Sequence, residues 1–217
     1  MSNRGKPKKP LSKIAALHEQ LRRRHGERDL EKRFLIVCED DRSAPNYFEA
    51  LKKHFKLSAA SIEVAGSKGH TQPIQVVERA IAAEPDSGTV PFEQVWCVID
   101  GDFGHKIANA QSKAMANEVQ LAISTMCFES WVLLHFEEYD KSTTDCDTLV
   151  VTLQKRHLLQ YTKGKCDFRP IVLHVRDACT RAEKLRRPGI ARGDLPEDQN
   201  PCSEVYKLVN AILGEIP

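Results

Sequence analysis

Between positions 34 and 136, short apolar runs alternate with stretches whose apolar residues recur at helical spacing. Phe34-Leu-Ile-Val-Cys38 is continuous and ends in the polar turn Glu39-Asp-Asp-Arg-Ser-Ala44; Ile62 to Ala65, Val95 to Ile99 and Val119 to Ile123 are runs of the same kind. Runs this short and unbroken predict strands buried on both faces. Between them, Tyr47, Phe48 and Leu51 mark a helix from Pro45 to about Phe55, and Ile74, Val77 and Ile81 a helix opened by Pro73. Proline suits a first helical turn because its missing N–H would go unbonded there in any case. A polar helix around Ile107 to Asn117 and an apolar one over Cys127 to Phe136 follow. Strands alternating with helices predict an α/β fold with an open, mainly parallel sheet flanked by helices.

Beyond Glu138 the alternation stops. Asp147 to Leu159, Pro170 to Arg187 and Ser203 to Leu213 read as helices, separated by Thr162-Lys-Gly-Lys165 and by the Pro- and Gly-containing stretch from Arg187 to Pro196. The expected organisation is therefore a basic N-terminal arm and helix over 1–32, an α/β core over 33–140, and a helical C-terminal layer over 141–217 packed on that core. Within the arm, the Lys- and Pro-rich residues 1–10 are expected to be disordered. A helix is expected from Leu11 to about His25, with Ile14, Leu17 and Leu21 on one face.

At 217 residues, 41% hydrophobic and 29% charged, the chain can bury one proper core. No apolar run approaches the roughly 20 residues of a membrane span. The start lacks the apolar stretch of a secretory signal, so no membrane association and a cytoplasmic location are expected. Seven cysteines (Cys38, Cys97, Cys127, Cys146, Cys166, Cys179, Cys202) show no CxxC pair and no metal-ligand spacing with histidine. Buried free thiols in a reducing compartment are the expectation, and the odd count argues against a closed disulfide framework. Charge is uneven. Residues 1–33 hold eleven Lys/Arg and four Asp/Glu, a net of +7 against +2 for the whole chain, which leaves −5 on the rest. Such an arm can attract phosphates without sequence preference, or act as a solubilising tail.

The chemistry gathers at strand ends. Glu39 follows the first strand, and Asp100-Gly-Asp102 ends the Val95 strand. Functional groups collect beyond the carboxyl ends of parallel strands. If these two strands are neighbours, three carboxylates converge, raise one another's pKa values and call for a cation, for which Mg²⁺ (or Mn²⁺) is the simplest candidate. The plainer alternative is a set of acids capping helices or facing water. Glu129, at a helix start, either stabilises that helix end or serves as a further metal ligand. Gly66-Ser-Lys-Gly-His70 precedes a helix and offers Lys68 and His70 as phosphate contacts, unless it is only a flexible connection. His105 and Lys163 are further candidates for substrate contact, and both are surface residues on the plainer reading. Trp96 and Trp131 sit in apolar segments and read as core.

Leu35-Ile-Val-Cys-Glu39, Pro45-Asn-Tyr-Phe-Glu-Ala-Leu51, Val95-Trp-Cys-Val-Ile-Asp-Gly-Asp102 and Cys127-Phe-Glu-Ser-Trp-Val-Leu-Leu-His-Phe136, in that order, resemble the RloB-like family. The basic N-terminal segment and Asn200-Pro-Cys-Ser-Glu-Val-Tyr-Lys-Leu-Val209 fit it as well. That family resembles a compact member of the Toprim superfamily, which implies a Toprim-like sheet with Glu39 as its glutamate and Asp100 and Asp102 as its DxD pair. The resemblance further implies a metal-dependent nuclease in antiphage defence, of the abortive-infection kind, with an ATPase partner and with DNA or RNA, tRNA included, as substrate. The chain departs from the family pattern in having Asp40 where glycine is familiar, Ser43-Ala44 where Thr-Glu often stands, and Gly101 where a larger residue is common. The alternative is a noncatalytic sensor or effector subunit that binds nucleic acid or a partner and keeps a structural acidic site.

Overall fold

The computed structural model describes residues 33–57, 62–66, 68–69, 72–83, 91–104 and 106–214. The helix expected over Leu11 to His25, and the arm to which it belongs, lie outside the described residues, as do His70 and His105. Among the described residues, five strands form one sheet: β1 (Phe34–Cys38), β2 (Ile62–Ala65), β3 (Gln94–Asp100), β4 (Val119–Thr125) and β5 (Cys202–Ser203). Their order is β2-β1-β3-β4-β5. All neighbours run parallel except β5, which pairs antiparallel with β4. The fold is thus the open, mainly parallel α/β sheet that the alternation predicts.

Both faces of the sheet are covered, which is why β1 and β3 have no polar side in sequence. Successive side chains of a strand point to opposite faces. Leu35, Val37, Cys97 and Ile99 accordingly pack with Val76, Val77, Ala80, Ala110 and Ala114. Those partners come from α2 (Pro73–Ala82) and α3 (Lys106–Ala116); the preceding helix, α1 (Ser43–His54), lies on the other face. There Phe34, Ile36, Trp96 and Val98 join a larger cluster of apolar residues. It is supplied by α1, α4 (Glu129–Leu134), α5 (Cys146–Arg156), α6 (Val175–Arg192) and α7 (Val205–Leu213). The C-terminal helices therefore share a core with β1 and β3.

Tyr47 of α1 is a hub of this layer. Its ring makes edge contacts with Phe48, Phe128, Trp131, His135 and Phe168. Its hydroxyl lies 3.0 Å from His135 Nε2, while His135 Nδ1 lies 3.0 Å from the Trp131 carbonyl oxygen. A neutral imidazole that donates through Nδ1 and accepts through Nε2 satisfies both contacts. Burial lowers the His135 pKa to about 3, in keeping with that state.

Two local expectations are corrected. The expected break at Arg187-Pro-Gly is instead continuous helix, since α6 runs through Pro188 to Arg192. Gln199 explains the tolerance: its amide donates to the Leu185 carbonyl oxygen at 2.6 Å and its own oxygen accepts from Arg186 Nη1 at 2.8 Å, so groups near the proline find partners outside the helix. Gly189 leaves room for this side chain, which would collide with a Cβ there. The helix stops at Gly193, at φ 81°, where the Asp194 N–H returns to the Gly189 carbonyl oxygen at 2.9 Å. Second, Ser203 belongs to β5 and not to the last helix, which starts at Val205. Among the described residues, no helix is long and apolar enough to cross a membrane.

Candidate functional site

β1 and β3 are adjacent, with Cys38 opposite Val98, and the Glu39 N–H extends the ladder by donating to the Val98 carbonyl oxygen at 2.9 Å. This register brings Glu39 beside the end of β3. Its Oε2 accepts the Asp100 N–H at 2.9 Å. Asp100 in turn accepts the Phe128 N–H through Oδ1 at 2.9 Å, at the entrance to α4. Asp102 lies exposed in a 3-10 turn over Gly101–Phe103. Gly101 suits the point where β3 leaves the sheet, because a Cβ would stand 3.0 Å from Thr125 Cα and 3.1 Å from the Ser124 carbonyl oxygen, both backbone atoms of β4, and would press them back by a few tenths of an ångström. Asp100 itself is held against β4 by its pairing with Ser124.

These carboxyl groups interact. Burial raises the Glu39 pKa to about 8, and Asp102 and Asp40 push in the same direction against the lowering effect of the Asp100 N–H. Burial also lifts Asp100 well above the ordinary carboxylate range, with Glu39, Glu129, Asp102 and Asp40 each adding repulsion. Among the described residues, no basic side chain forms an ion pair with Glu39, Asp100 or Asp102. Glu39 and Asp100, part-buried, bonded to backbone N–H groups and without a basic partner among the described residues, fit a hard divalent cation, which would relieve the repulsion and accept their oxygens, with the exposed Asp102 as a further oxygen donor.

Asp40 is a site residue that the sequence reading did not single out. It accepts N–H groups from Ser43 and Ala44 at the first turn of α1, and its pKa is raised, chiefly by burial. With Asp100, Glu129, Lys163, Gly164 and Ser43 it lines a pocket of about 280 Å³. The turn carrying Lys163 is pinned to α1, since the Gly164 N–H donates to Ser43 Oγ at 3.0 Å. An acid three residues before a helix start was the available signal for Asp40. None pointed to the pairing of Ser43 with Gly164, 121 positions apart.

Glu129 has different company from that expected. It is 2% exposed. Oε1 accepts the Tyr161 hydroxyl at 2.9 Å, and Oε2 lies 3.2 Å from Cys146 Sγ and 3.7 Å from Lys163 Nζ. Cys146 and Cys127 are disulfide-bonded across a separation of 19 residues. This corrects the expectation of free thiols throughout: Cys38, Cys97, Cys179 and Cys202 are free and buried, Cys166 is free and half-buried, but Cys127 and Cys146 are paired. The pairing arises because α5 packs on α4, a tertiary contact that no local spacing announces. Among the described residues, the group of three whose ligand atoms all lie within 4.8 Å of one another is Cys127, Glu129 and Cys146, not Glu39, Asp100 and Asp102. Glu129 is thus placed with the sulfurs.

Lys68 is exposed, and its N–H donates to Asp41 Oδ1 at 2.8 Å, so what it offers a phosphate is its side chain. Gly66 permits this approach, since a Cβ there would lie 2.9 Å from Asp41 Cα.

A family model described as RloB-like protein matches residues 34–212. No curated protein and no solved structure matches the chain.

Proposed function

The chain belongs to the RloB-like family, and from that membership and the acids at its strand ends we propose that it is a Mg²⁺- or Mn²⁺-dependent nuclease hydrolysing nucleic-acid phosphodiester bonds. One observation carries the proposal: adjacent parallel strands end in Glu39 and Asp100, hydrogen-bonded through Glu39 Oε2 and the Asp100 N–H. Glu39, Asp100 and Asp102 would hold the ion. When bound, such an ion supplies charge neutralisation at a phosphate oxygen and a lowered pKa for an attacking water.

The residues have separable duties. Glu39, whose pKa burial raises to about 8 in the metal-free chain, would either join Asp100 and Asp102 as a ligand or pass a proton to or from the reacting oxygens. Asp100 is tied to the entrance of α4 by the Phe128 N–H and gives the site a fixed anchor. Exposed Lys163 and Lys68, with the basic residues of 1–32, would hold the phosphate backbone without reading bases. The family resemblance favours a place in antiphage defence with an ATPase partner, in the cytoplasm.

A second reading, a noncatalytic subunit that binds nucleic acid or a partner, draws on the spacing of the three acids, whose oxygens do not gather into a close group among the described residues. The test is degradation of plasmid, single-stranded DNA and tRNA by the purified chain, with Mg²⁺ or Mn²⁺ and with chelator. Metal-dependent cleavage that is lost in folded Glu39→Gln supports the nuclease. Cleavage unaffected by Glu39→Gln would refute the assigned role, and no cleavage of any substrate favours the noncatalytic subunit.

A further inference from the structure

We propose that Cys127, Cys146 and Glu129 form a redox-gated site for a thiophilic divalent metal, Zn²⁺ by chemistry, beside the carboxylate site and distinguished from it by its sulfur donors. The ligand atoms of all three lie within 4.8 Å of one another. Two thiolates and a carboxylate are a donor set that Zn²⁺ accepts and Mg²⁺ does not favour.

The surroundings of Glu129 point the same way. Its carboxyl is buried at 2% exposure, and Oε1 is oriented by the Tyr161 hydroxyl, the kind of outer hydrogen bond that aims a metal ligand. Oε2 faces Cys146 Sγ at 3.2 Å, with Lys163 Nζ beyond hydrogen-bond reach at 3.7 Å. In the disulfide, that sulfur has no proton to give, so the buried oxygen meets no donor there. A Cys146 thiol would supply a hydrogen bond, and a metal held by both thiolates would supply a ligand bond. In the disulfide, Oε2 is left with the Lys163 ammonium at 3.7 Å as its partner. Glu129 also lines the pocket shared with Asp100 and Lys163, so solvent reaches the site from the carboxylate side.

The gate is ordinary sulfur chemistry. A dithiol reduces the Cys127–Cys146 bond by handing over two electrons and its two thiol protons and leaves as its own disulfide; a phosphine gives the two electrons while water supplies the two protons and the oxygen of the phosphine oxide that leaves. Metal binding then releases the two thiol protons. Oxidation by a small-molecule disulfide reverses the sequence and expels the ion.

The test uses the full chain, reduced with a phosphine, freed of metal and titrated anaerobically with Co²⁺. One equivalent should bind with near-ultraviolet sulfur-to-cobalt charge-transfer absorption, and Zn²⁺ should displace it. Cys146→Ser and Cys127→Ser should each diminish the band and weaken binding by roughly tenfold or more, while Cys166→Ser should leave both unchanged. The oxidised chain should give no band. If buried Cys127→Ser does not fold, Cys146→Ser, at the half-buried start of α5, decides alone. A reduced, folded chain without the band, or a band that survives Cys146→Ser intact, overturns the site. Since hard carboxylate coordination gives no sulfur charge transfer, neither outcome depends on the nuclease reading.

Discussion

Glu39 and His135 carry opposite pH signatures within one molecule. The folded-state pKa of Glu39 is raised from 4.5 to about 8, so the folded chain keeps a proton that the unfolded chain releases. The stability this provides is full below about pH 4.5 and is lost as pH rises through about 8. His135 is lowered from 6.5 to about 3, so its contribution is full above 6.5 and is lost as pH falls toward 3. Above about pH 6.5, where His135 no longer opposes it, melting of the metal-free chain should therefore decline toward pH 8, and decline less in Glu39→Gln, which cannot ionise. An identical pH slope in parent and variant would mean that Glu39 titrates normally. Asp100 and Asp40, both raised chiefly by burial, contribute to the slope that remains.

α1 and α4 are joined through one polar pair in an aromatic layer, Tyr47 hydroxyl to His135 Nε2 at 3.0 Å. Tyr47→Phe keeps the ring but leaves His135 Nε2 buried without a donor, which should cost about 1–3 kcal/mol. Denaturant unfolding would measure it, and a change below about 0.5 kcal/mol, the usual effect of a surface substitution, would show that the hydroxyl contributes little. Elements such as α1 and β1 were readable because their periodicities are strong and their packing partners interchangeable. β5 was not, since two residues pair only because Glu204 and Ser203 are brought to β4 by the tertiary fold. Pro188 misled for a related reason: the local rule for proline is outweighed by Gln199 and by the left-handed Gly193 that ends α6. Likewise the acids of β1 and β3 were visible as strand ends, whereas the Cys127, Glu129 and Cys146 group needs α5 folded against α4.

At the scale of the molecule, a basic arm precedes an acidic body, with +7 over residues 1–33 and −5 over the rest. If the arm holds phosphates, deleting residues 1–32 should weaken nucleic-acid binding and flatten its salt dependence, since fewer counterions are released. Deleting residues 1–10 alone should give a smaller change of the same sign. Affinity and salt slope equal to the parent's in both truncations would assign the arm to solubility or to a protein partner. The most direct measurement of the central claim, a divalent ion held at the strand-end acids for phosphodiester hydrolysis, is melting and cleavage by Asp100→Asn with and without Mg²⁺. Asparagine keeps an oxygen for the Phe128 N–H and replaces a buried acid whose ionisation burial and the neighbouring acids oppose. The variant should therefore melt at or above the parent's temperature without metal, lose most of the stabilisation that Mg²⁺ gives the parent, and cleave no substrate. Melting far below the parent without metal, or cleavage at the parent's rate, would contradict the account.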